Sequence, residues 1–144
     1  MSLDGAYDDA NIFARIVRSE IPSAKVYEDD RVMAFMDAFP QVRGHTLVVH
    51  KHSKARNILE IEPEALCELM AGVQKIARAV RKVLNPDGLV VTKFNGAPAG
   101  QTIFHLHVHI LPRWEGVPMG VHGHGQTEAG ELQRLAKEIG AAVE

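Results

Sequence analysis

The fold of this chain is decided by one stretch, Phe104-His105-Leu106-His107-Val108-His109-Ile110-Leu111. Side chains on a β-strand point to opposite faces in turn, so a strand over 104–111 places the three histidines on one face. The apolar residues at 104, 106, 108 and 110 then form the core face. A helix would scatter the same residues around its circumference. The pattern therefore predicts a strand that presents three imidazoles together.

The loop before this strand is rich in small residues and side-chain donors. It runs from Asn95 through Gly96 and Gly100 to Gln101 and Thr102. Small residues let backbone N–H groups approach a phosphate closely. No Gly-Lys-Ser or Gly-Lys-Thr follows, so the loop is not a P-loop. Next to a histidine strand, it is a candidate cradle for phosphate oxygens.

Two kinds of chemistry fit a row of imidazoles. Three protonated rings would repel one another, so the rings are expected to be neutral or to share protons. Neutral rings can bind a metal, or can orient one ring as a nucleophile. Closed zinc sites prefer four ligands, often with cysteine, but Cys67 is the single cysteine and falls in an apolar helical pattern. The sequence favours the nucleophile, with no metal site and no cofactor assigned, and a non-enzymatic metal-binding protein remains the alternative.

Hydrophobic periodicity predicts the remaining elements. Helices are expected at 11–17 and 63–84, with a last helix after Thr127 as N-cap, and strands at 25–28, 31–36, 46–50, 89–93 and 104–111. The order favours an α+β fold with a mainly antiparallel sheet flanked by helices. Residues 11–144 are predicted to form a single domain and residues 1–10 a disordered or frayed N-terminus. The Gly-rich segment 116–126 is expected to be an irregular, mobile loop.

Composition narrows the class of partner. The chain carries 16 basic and 18 acidic side chains, a net charge of -2, which does not suit a dedicated nucleic-acid binder. No apolar run approaches membrane-spanning length. One thiol and no signal peptide predict a cytoplasmic protein.

These residues resemble the histidine-triad (HIT) family, in its nucleotide-binding branch. The family signature is His-φ-His-φ-His-φ-φ with φ apolar, and residues 105–111 match it in full. Further segments that look like the family are 12–17, 20–22, 26–30, 34–40, 44–49 and 95–113, so the resemblance covers most of the chain from 11 to 113. It implies the HIT-like fold, in which a homodimer extends the sheet across its two-fold axis.

The resemblance also implies a mechanism. His107 would attack the α-phosphorus of a purine nucleotide and form a nucleotidyl-histidine intermediate, which water breaks down. His105 and His45 would orient or polarise the site, and His109 would contact phosphate oxygens. Thr102 would pass a proton to the leaving group.

Further positions resemble the family's nucleotide-binding residues. Asp37 looks like the carboxylate that accepts from both ribose hydroxyls. Asn95 and Gln101 resemble phosphate ligands, together with Thr102. The base pocket would consist of Ile12, Phe13, Ile16, Phe35 and Leu47, although ordinary core packing is an equal alternative for Ile16.

The resemblance leaves the substrate open. The N-terminal half looks like the branch of the family that hydrolyses nucleoside 5′-phosphoramidates. Leu111-Pro112-Arg113 looks more like the branch that hydrolyses dinucleoside polyphosphates. A non-enzymatic nucleotide-binding protein is a further alternative. Many bacterial relatives carry a zinc-binding Cys-x-x-Cys where this chain has Asn11 and Ala14, so zinc is not expected there. His52 is then a surface or loop residue, and no role is assigned to His122 or His124.

Overall fold

A computed structural model describes residues 3–120 and 128–144 of the chain. Five strands form one antiparallel sheet in the order β1-β2-β3-β5-β4. The strands are β1 (Lys25–Glu28), β2 (Val32–Met36), β3 (Thr46–His50), β4 (Gly88–Thr92) and β5 (His107–Arg113). The helices are α1 (Ile12–Val17), α2 (Pro63–Leu84) and α3 (Ala129–Ala141). The predicted α+β class with a mainly antiparallel sheet is confirmed.

Helices α2 and α3 cover one face of the sheet. Alternate strand residues such as Val32, Ala34 and Val48 point to this face and join the main core. Pro63 occupies the first turn of α2, where its missing N–H costs nothing. Asn85 ends the helix in the left-handed conformation, which asparagine tolerates better than most residues.

The short helix α1 covers the other face. Asn11 caps it, because its side-chain oxygen accepts from the Ala14 N–H at 2.9 Å. Phe13 and Ile16 pack on the residues of β2 and β3 that point away from α2. The resulting second cluster contains Phe13, Ile16, Met33, Phe35, Leu47 and Val49. Both faces of the central strands are therefore buried, and the α1 side is the one that the histidines share.

The prediction for the histidine strand is wrong at its start. β5 begins at His107, and its pairing with β3 extends only as far as Val49 opposite His107. Residues 103–105 bend, and the Leu106 N–H donates to the Ala55 carbonyl instead of a neighbouring strand. His105 therefore lies outside the strand.

The core face of this strand is also shorter than predicted. Leu106, Val108 and Ile110 are buried as expected, but Phe104 is only partly buried. Its ring lies beneath the guanidinium of Arg56, with 4.9 Å from Cζ to the ring centre. β5 also continues past its predicted end, through Pro112 to Arg113. Proline has no N–H to donate, but β3 pairs with β5 only as far as Ile110, so no hydrogen bond to β3 is lost at Pro112.

Several sequence predictions stay predictions. Fraying of residues 1–10 is one, although Leu3, Tyr7 and Asp9 make contacts with Asn57, His105 and Lys54. His122, His124 and Thr127 lie outside the described residues. Within 3–120 and 128–144, no helix is long and apolar enough to cross a membrane.

Candidate active site

The connection between β2 and β3 fixes one wall of the site. The Asp37 N–H donates to the His45 carbonyl at 3.0 Å, directly beyond the last strand pair, Met36 with Thr46. The Asp37 carboxylate also accepts from the Phe39 N–H at 2.8 Å through Oδ1. Asp37 is 6% exposed. Its carboxylate is therefore held in a fixed direction by the loop that follows it.

The second wall comes from β5. His107 and His109 lie opposite Val49 and Leu47 in the sheet, so their rings share the face that α1 covers. The Phe13 ring meets the His107 ring edge to face, with centroids 4.7 Å apart. The rings of His107 and His109 are 4.9 Å apart. The strand register thus brings two of the three histidines of the motif into one layer with α1.

These walls enclose a cavity of about 210 Å³. Most of its floor is apolar, and the Asp37 carboxylate lies together with the rings of His107 and His109. Most of the predicted site residues line it together: Ile12, Phe13, Ile16, Phe35, Asp37, Leu47, Thr102, His107 and His109. An apolar floor with a carboxylate and imidazoles at one end suits a ligand with an aromatic base and a charged tail.

Hydrogen bonding fixes the proton of His107. Its Nδ1 lies 2.6 Å from the His105 carbonyl oxygen, which can only accept. The neutral ring therefore carries its proton on Nδ1 and an unshared electron pair on Nε2. Burial lowers the pKa of His107 to about 3, an effect that outweighs the hydrogen bond to His105. At neutral pH His107 has the protonation state that a nucleophile requires.

His105 has the opposite tautomer. Its Nδ1 lies 2.6 Å from the Tyr7 hydroxyl, and its ring makes a second hydrogen bond to the backbone of His50. That second bond favours the protonated ring, so it places a ring N–H against the His50 carbonyl and leaves Nδ1 to accept from Tyr7. Burial lowers the pKa of His105 to about 4. His105 is thus a neutral ring with both nitrogens engaged.

A hydrogen bond joins His45 to His109, which lines the cavity. The Gln41 N–H donates to His45 Nδ1 at 3.2 Å, so a neutral His45 carries its proton on Nε2. That atom lies 2.9 Å from His109 Nδ1 and 3.5 Å from Asp37 Oδ2. Donation from His45 leaves the proton of a neutral His109 on its own Nε2. A contact between His109 and a phosphate oxygen stays a prediction.

Asp37, His45 and His109 form one group whose spacing would suit a metal ion. Ligand atoms of Asp37, His45 and His109 lie within 4.8 Å of one another. A metal-bound imidazole usually donates from its other nitrogen, but the other nitrogen of His45 accepts from Gln41. Metal binding at His45 Nε2 would require the loss of that proton or of the Gln41 bond. The donor set therefore fits a hydrogen-bond relay better than a metal site.

Gln101 and Asn95, which were predicted to bind phosphate, make hydrogen bonds to other parts of the protein. Both protons of the Gln101 amide are donated, to the Arg56 carbonyl at 2.7 Å and the Ile103 carbonyl at 3.0 Å. Its oxygen accepts from the Gly96 N–H, and the Asn95 oxygen accepts from the Ile58 N–H. Neither residue lines the cavity. In this structure both side chains hold the shape of the loop, and a direct contact with phosphate stays a prediction.

The structure does not bring Arg113 near the histidines. Arg113 pairs with Gly88 at the far end of β5, six residues beyond His107, which corresponds to about 20 Å along a strand. Its guanidinium donates to the Val117 carbonyl at 3.1 Å. Within one chain, Arg113 therefore does not support the polyphosphate alternative.

Two residues of the site were missed by the sequence analysis. Phe94 packs against His109, with ring centroids 5.2 Å apart, and Tyr7 contacts His105. Phe94 directly precedes the loop 95–102, and its position in the sequence follows no pattern that predicts a site residue. Tyr7 lies in a segment without apolar periodicity, and only the three-dimensional structure shows that it reaches the triad.

Comparison with known proteins identifies relatives across most of the chain. Residues 18–116 match the HIT domain model. The "Protein hit" of Bacillus subtilis is 46% identical over 103 residues, which cover 72% of this chain and 70% of that protein. The "Adenylylsulfatase HINT3" of Arabidopsis thaliana is 36% identical over 104 residues, which cover 72% of this chain and 52% of that protein.

The fold has close counterparts among solved structures. A HIT-like protein involved in cell-cycle regulation from Bartonella henselae superposes with a TM-score of 0.88 and is 48% identical. The match covers 96% of this chain and all of that one.

Proposed function

Because the chain belongs to the histidine-triad family, whose members are nucleotide-binding hydrolases and transferases, we propose that it cleaves nucleoside 5′-phosphoramidates through a nucleotidyl-His107 intermediate. The observation that carries the proposal is the hydrogen bonding that fixes which ring nitrogen of His107 carries the proton. Of its three histidines, His107 is the one whose neutral tautomer leaves an electron pair on Nε2 beside the cavity. His105 and His109 support it with fixed donors and acceptors.

The proposed reaction has two displacements. First, the Nε2 electron pair of His107 forms a bond to the α-phosphorus while the bond from phosphorus to the amine breaks. Thr102 lies at the cavity and passes a proton to the departing amine. Water then attacks the same phosphorus and gives its proton back to Thr102, while the bond between phosphorus and Nε2 breaks and its electron pair returns to His107. Splitting one displacement into two gives each step a better nucleophile or leaving group.

The cavity supports a nucleotide with its base on the apolar floor. Phe13 and Phe35 supply aromatic surface, with ring centroids 5.3 Å apart. We assign the base to this floor, a purine being favoured by its larger stacking area. The α-phosphate then lies at the histidine end, within reach of His107 and His109.

A panel of substrates tests the proposal. Wild-type protein would be assayed in chelator with adenosine 5′-phosphoramidate, diadenosine polyphosphates and adenylyl sulfate. The last compound is included because of the name of the Arabidopsis relative. Turnover highest with the phosphoramidate supports the proposal. Higher turnover with a dinucleotide moves the chain to the polyphosphate alternative, and turnover that requires added metal contradicts the covalent histidine mechanism.

Asp37 is proposed to recognise the ribose. One ionised carboxylate that accepts from two hydroxyls makes charge-assisted hydrogen bonds, each of which contributes about 1.5–3 kcal/mol. Asp37→Asn removes the charge but keeps the oxygen that accepts from Phe39. We expect Kd for AMP, measured by calorimetry, to rise about tenfold or more. Kd for 2′,3′-dideoxy-AMP should change little, and equal losses for both ligands would contradict the ribose contact.

We also propose that the chain forms a homodimer through β4. β4 is an edge strand, and Leu89 and Val91 on it are exposed apolar residues. Ile58 and Met70 lie beside this edge and are 44% and 41% exposed. A second copy would pair the free edge and cover this apolar surface.

Sedimentation velocity tests the dimer. Val91→Lys places a charge on the proposed contact, and we expect it to shift the sedimenting species from dimer to monomer. Val117→Lys is the matched control, because Val117 is similarly exposed but follows β5 instead of lying on β4. A wild-type monomer, or an unaltered dimer in Val91→Lys, would contradict this interface.

A further inference from the structure

The segment before α1 is anchored beside the triad. The Leu3 carbonyl accepts from the Asn57 side chain at 2.8 Å. Near the other end, the Asp9 carboxylate lies 3.1 Å from Lys54 Nζ, and the Asp9 carbonyl accepts from Arg18 at 2.9 Å. The segment precedes residue 18, where the match to the family domain begins. These contacts fix its path across the loop that holds Lys54 and Asn57.

This path brings Tyr7 to His105. The Tyr7 hydroxyl lies 2.6 Å from His105 Nδ1, and the two rings are 5.8 Å apart. The His105 ring already gives its proton to the backbone of His50, so the hydroxyl of Tyr7 is the donor in this bond. Tyr7 thereby holds the second nitrogen of His105 and fixes both the rotation and the tautomer of the ring.

The state of His105 bears directly on His107. The His105 carbonyl accepts the His107 Nδ1 proton at 2.6 Å, and that bond determines which nitrogen of His107 is free to attack. Residue 105 lies outside the β-ladder, so strand pairing does not fix the direction of its carbonyl. The peptide that joins residues 105 and 106 is held on one side by the hydrogen bond from the Leu106 N–H to the Ala55 carbonyl. The ring of His105, held by Tyr7 and His50, anchors the other side.

We propose that Tyr7 is a positioning residue for catalysis: through the His105 ring it orients the carbonyl that fixes the tautomer and direction of the nucleophile His107. Tyr7 itself does not line the cavity, so it acts without touching the substrate. The inference rests on the proposed function, because it requires His107 to be the nucleophile. It assigns a catalytic contribution to a segment that precedes the matched HIT domain, residues 18–116.

Tyr7→Phe tests the inference, because it keeps the ring and removes the hydroxyl. We expect kcat for adenosine 5′-phosphoramidate to fall about tenfold, the equivalent of one hydrogen bond, with KM nearly unchanged. Tyr27→Phe is the matched control. It removes a hydroxyl that donates to Asp29 at 2.8 Å on another part of the surface, and it should leave kcat unchanged.

Nitrogen-15 NMR of the imidazoles separates positioning from general support of the fold. Without the Tyr7 donor, the electron pair on His105 Nδ1 is free to take a proton, so the pKa of His105 should rise from its low value in Tyr7→Phe. The same spectra should show His107 losing its exclusive Nδ1–H tautomer. A merely structural role would lower the unfolding midpoint and leave both signals in place.

A second variant protects the test against misfolding. A chain that begins at Asp8 keeps the capping of α1, because Asp8 and Asn11 remain. It should show the same fall in kcat as Tyr7→Phe. Wild-type kcat and unaltered His105 and His107 signals in both variants would overturn the inference. Full activity in His107→Gln would instead overturn the proposed function, so the two failures are distinguishable.

Discussion

His107→Gln is expected to lower kcat/KM for adenosine 5′-phosphoramidate by about 10⁴-fold or more, since removal of a covalent nucleophile costs on that order. The amide of glutamine can still donate to the His105 carbonyl, so the local hydrogen bond has a replacement. AMP should still bind, because the apolar floor and Asp37 remain. Loss of turnover with retained binding would assign His107 to the chemical step.

Two other histidines serve as controls for this substitution. His109→Gln removes the proposed phosphate contact and the partner of His45, and we expect a smaller loss of about 10–100-fold. His52→Gln changes an exposed ring that bonds to the Asp30 carbonyl, and it should leave the rate unchanged. Activity of His107→Gln within tenfold of wild type would contradict the nucleophile assignment.

The second large effect concerns stability in mild acid. The pKa values of His105 and His107 are lowered to about 4 and about 3, against 6.5 in an unfolded chain. Below pH 6.5 the unfolded state therefore binds protons that the folded state does not. Stability is lost as pH falls from 6.5 towards 4 and 3. Between about pH 7 and about pH 5.5 each histidine removes about 1 kcal/mol from the free energy of unfolding.

Urea unfolding at these two pH values, at one fixed protein concentration, measures this decline. The pKa of His50 is also lowered by burial and adds to the loss in the same direction. His107→Gln should reduce the pH-dependent loss by about 1 kcal/mol, because one buried titrating ring is gone. A wild-type protein equally stable at both pH values would contradict the lowered pKa values of His105 and His107.

Much of the fold could be predicted because its signals are local. The spacing of Leu69, Val73, Ile76 and Val80 is helical, and Pro63 and Asn85 mark the two ends of α2, so its predicted bounds match the structure. The alternation after His107 likewise predicts which side chains face the core. The start of β5 could not be predicted in this way, because the bend at 103–105 depends on a bond between Leu106 and Ala55, far apart in the sequence.

The site, like the fold, could be predicted from the sequence only in part. The apolar residues of the predicted base pocket and the carboxylate of Asp37 do line one cavity with His107 and His109. The polar residues of the preceding loop are less predictable, because an amide can bind a ligand or hold its own loop. Gln101 does the latter with all of its donors. Tyr7 could not be found from the sequence, since its contact with His105 spans 98 positions.

The measurement that tests the central claim most directly is capture of the covalent intermediate. Wild-type protein would be mixed briefly with adenosine 5′-phosphoramidate, quenched in alkali, where a phosphorus–nitrogen bond on histidine survives, and digested for mass spectrometry. The account predicts an adenylyl group on His107 that is absent from His107→Gln and disappears as turnover proceeds. An adenylyl group on another residue, or rapid turnover without any adduct together with inversion at a chiral α-phosphorus, would contradict it.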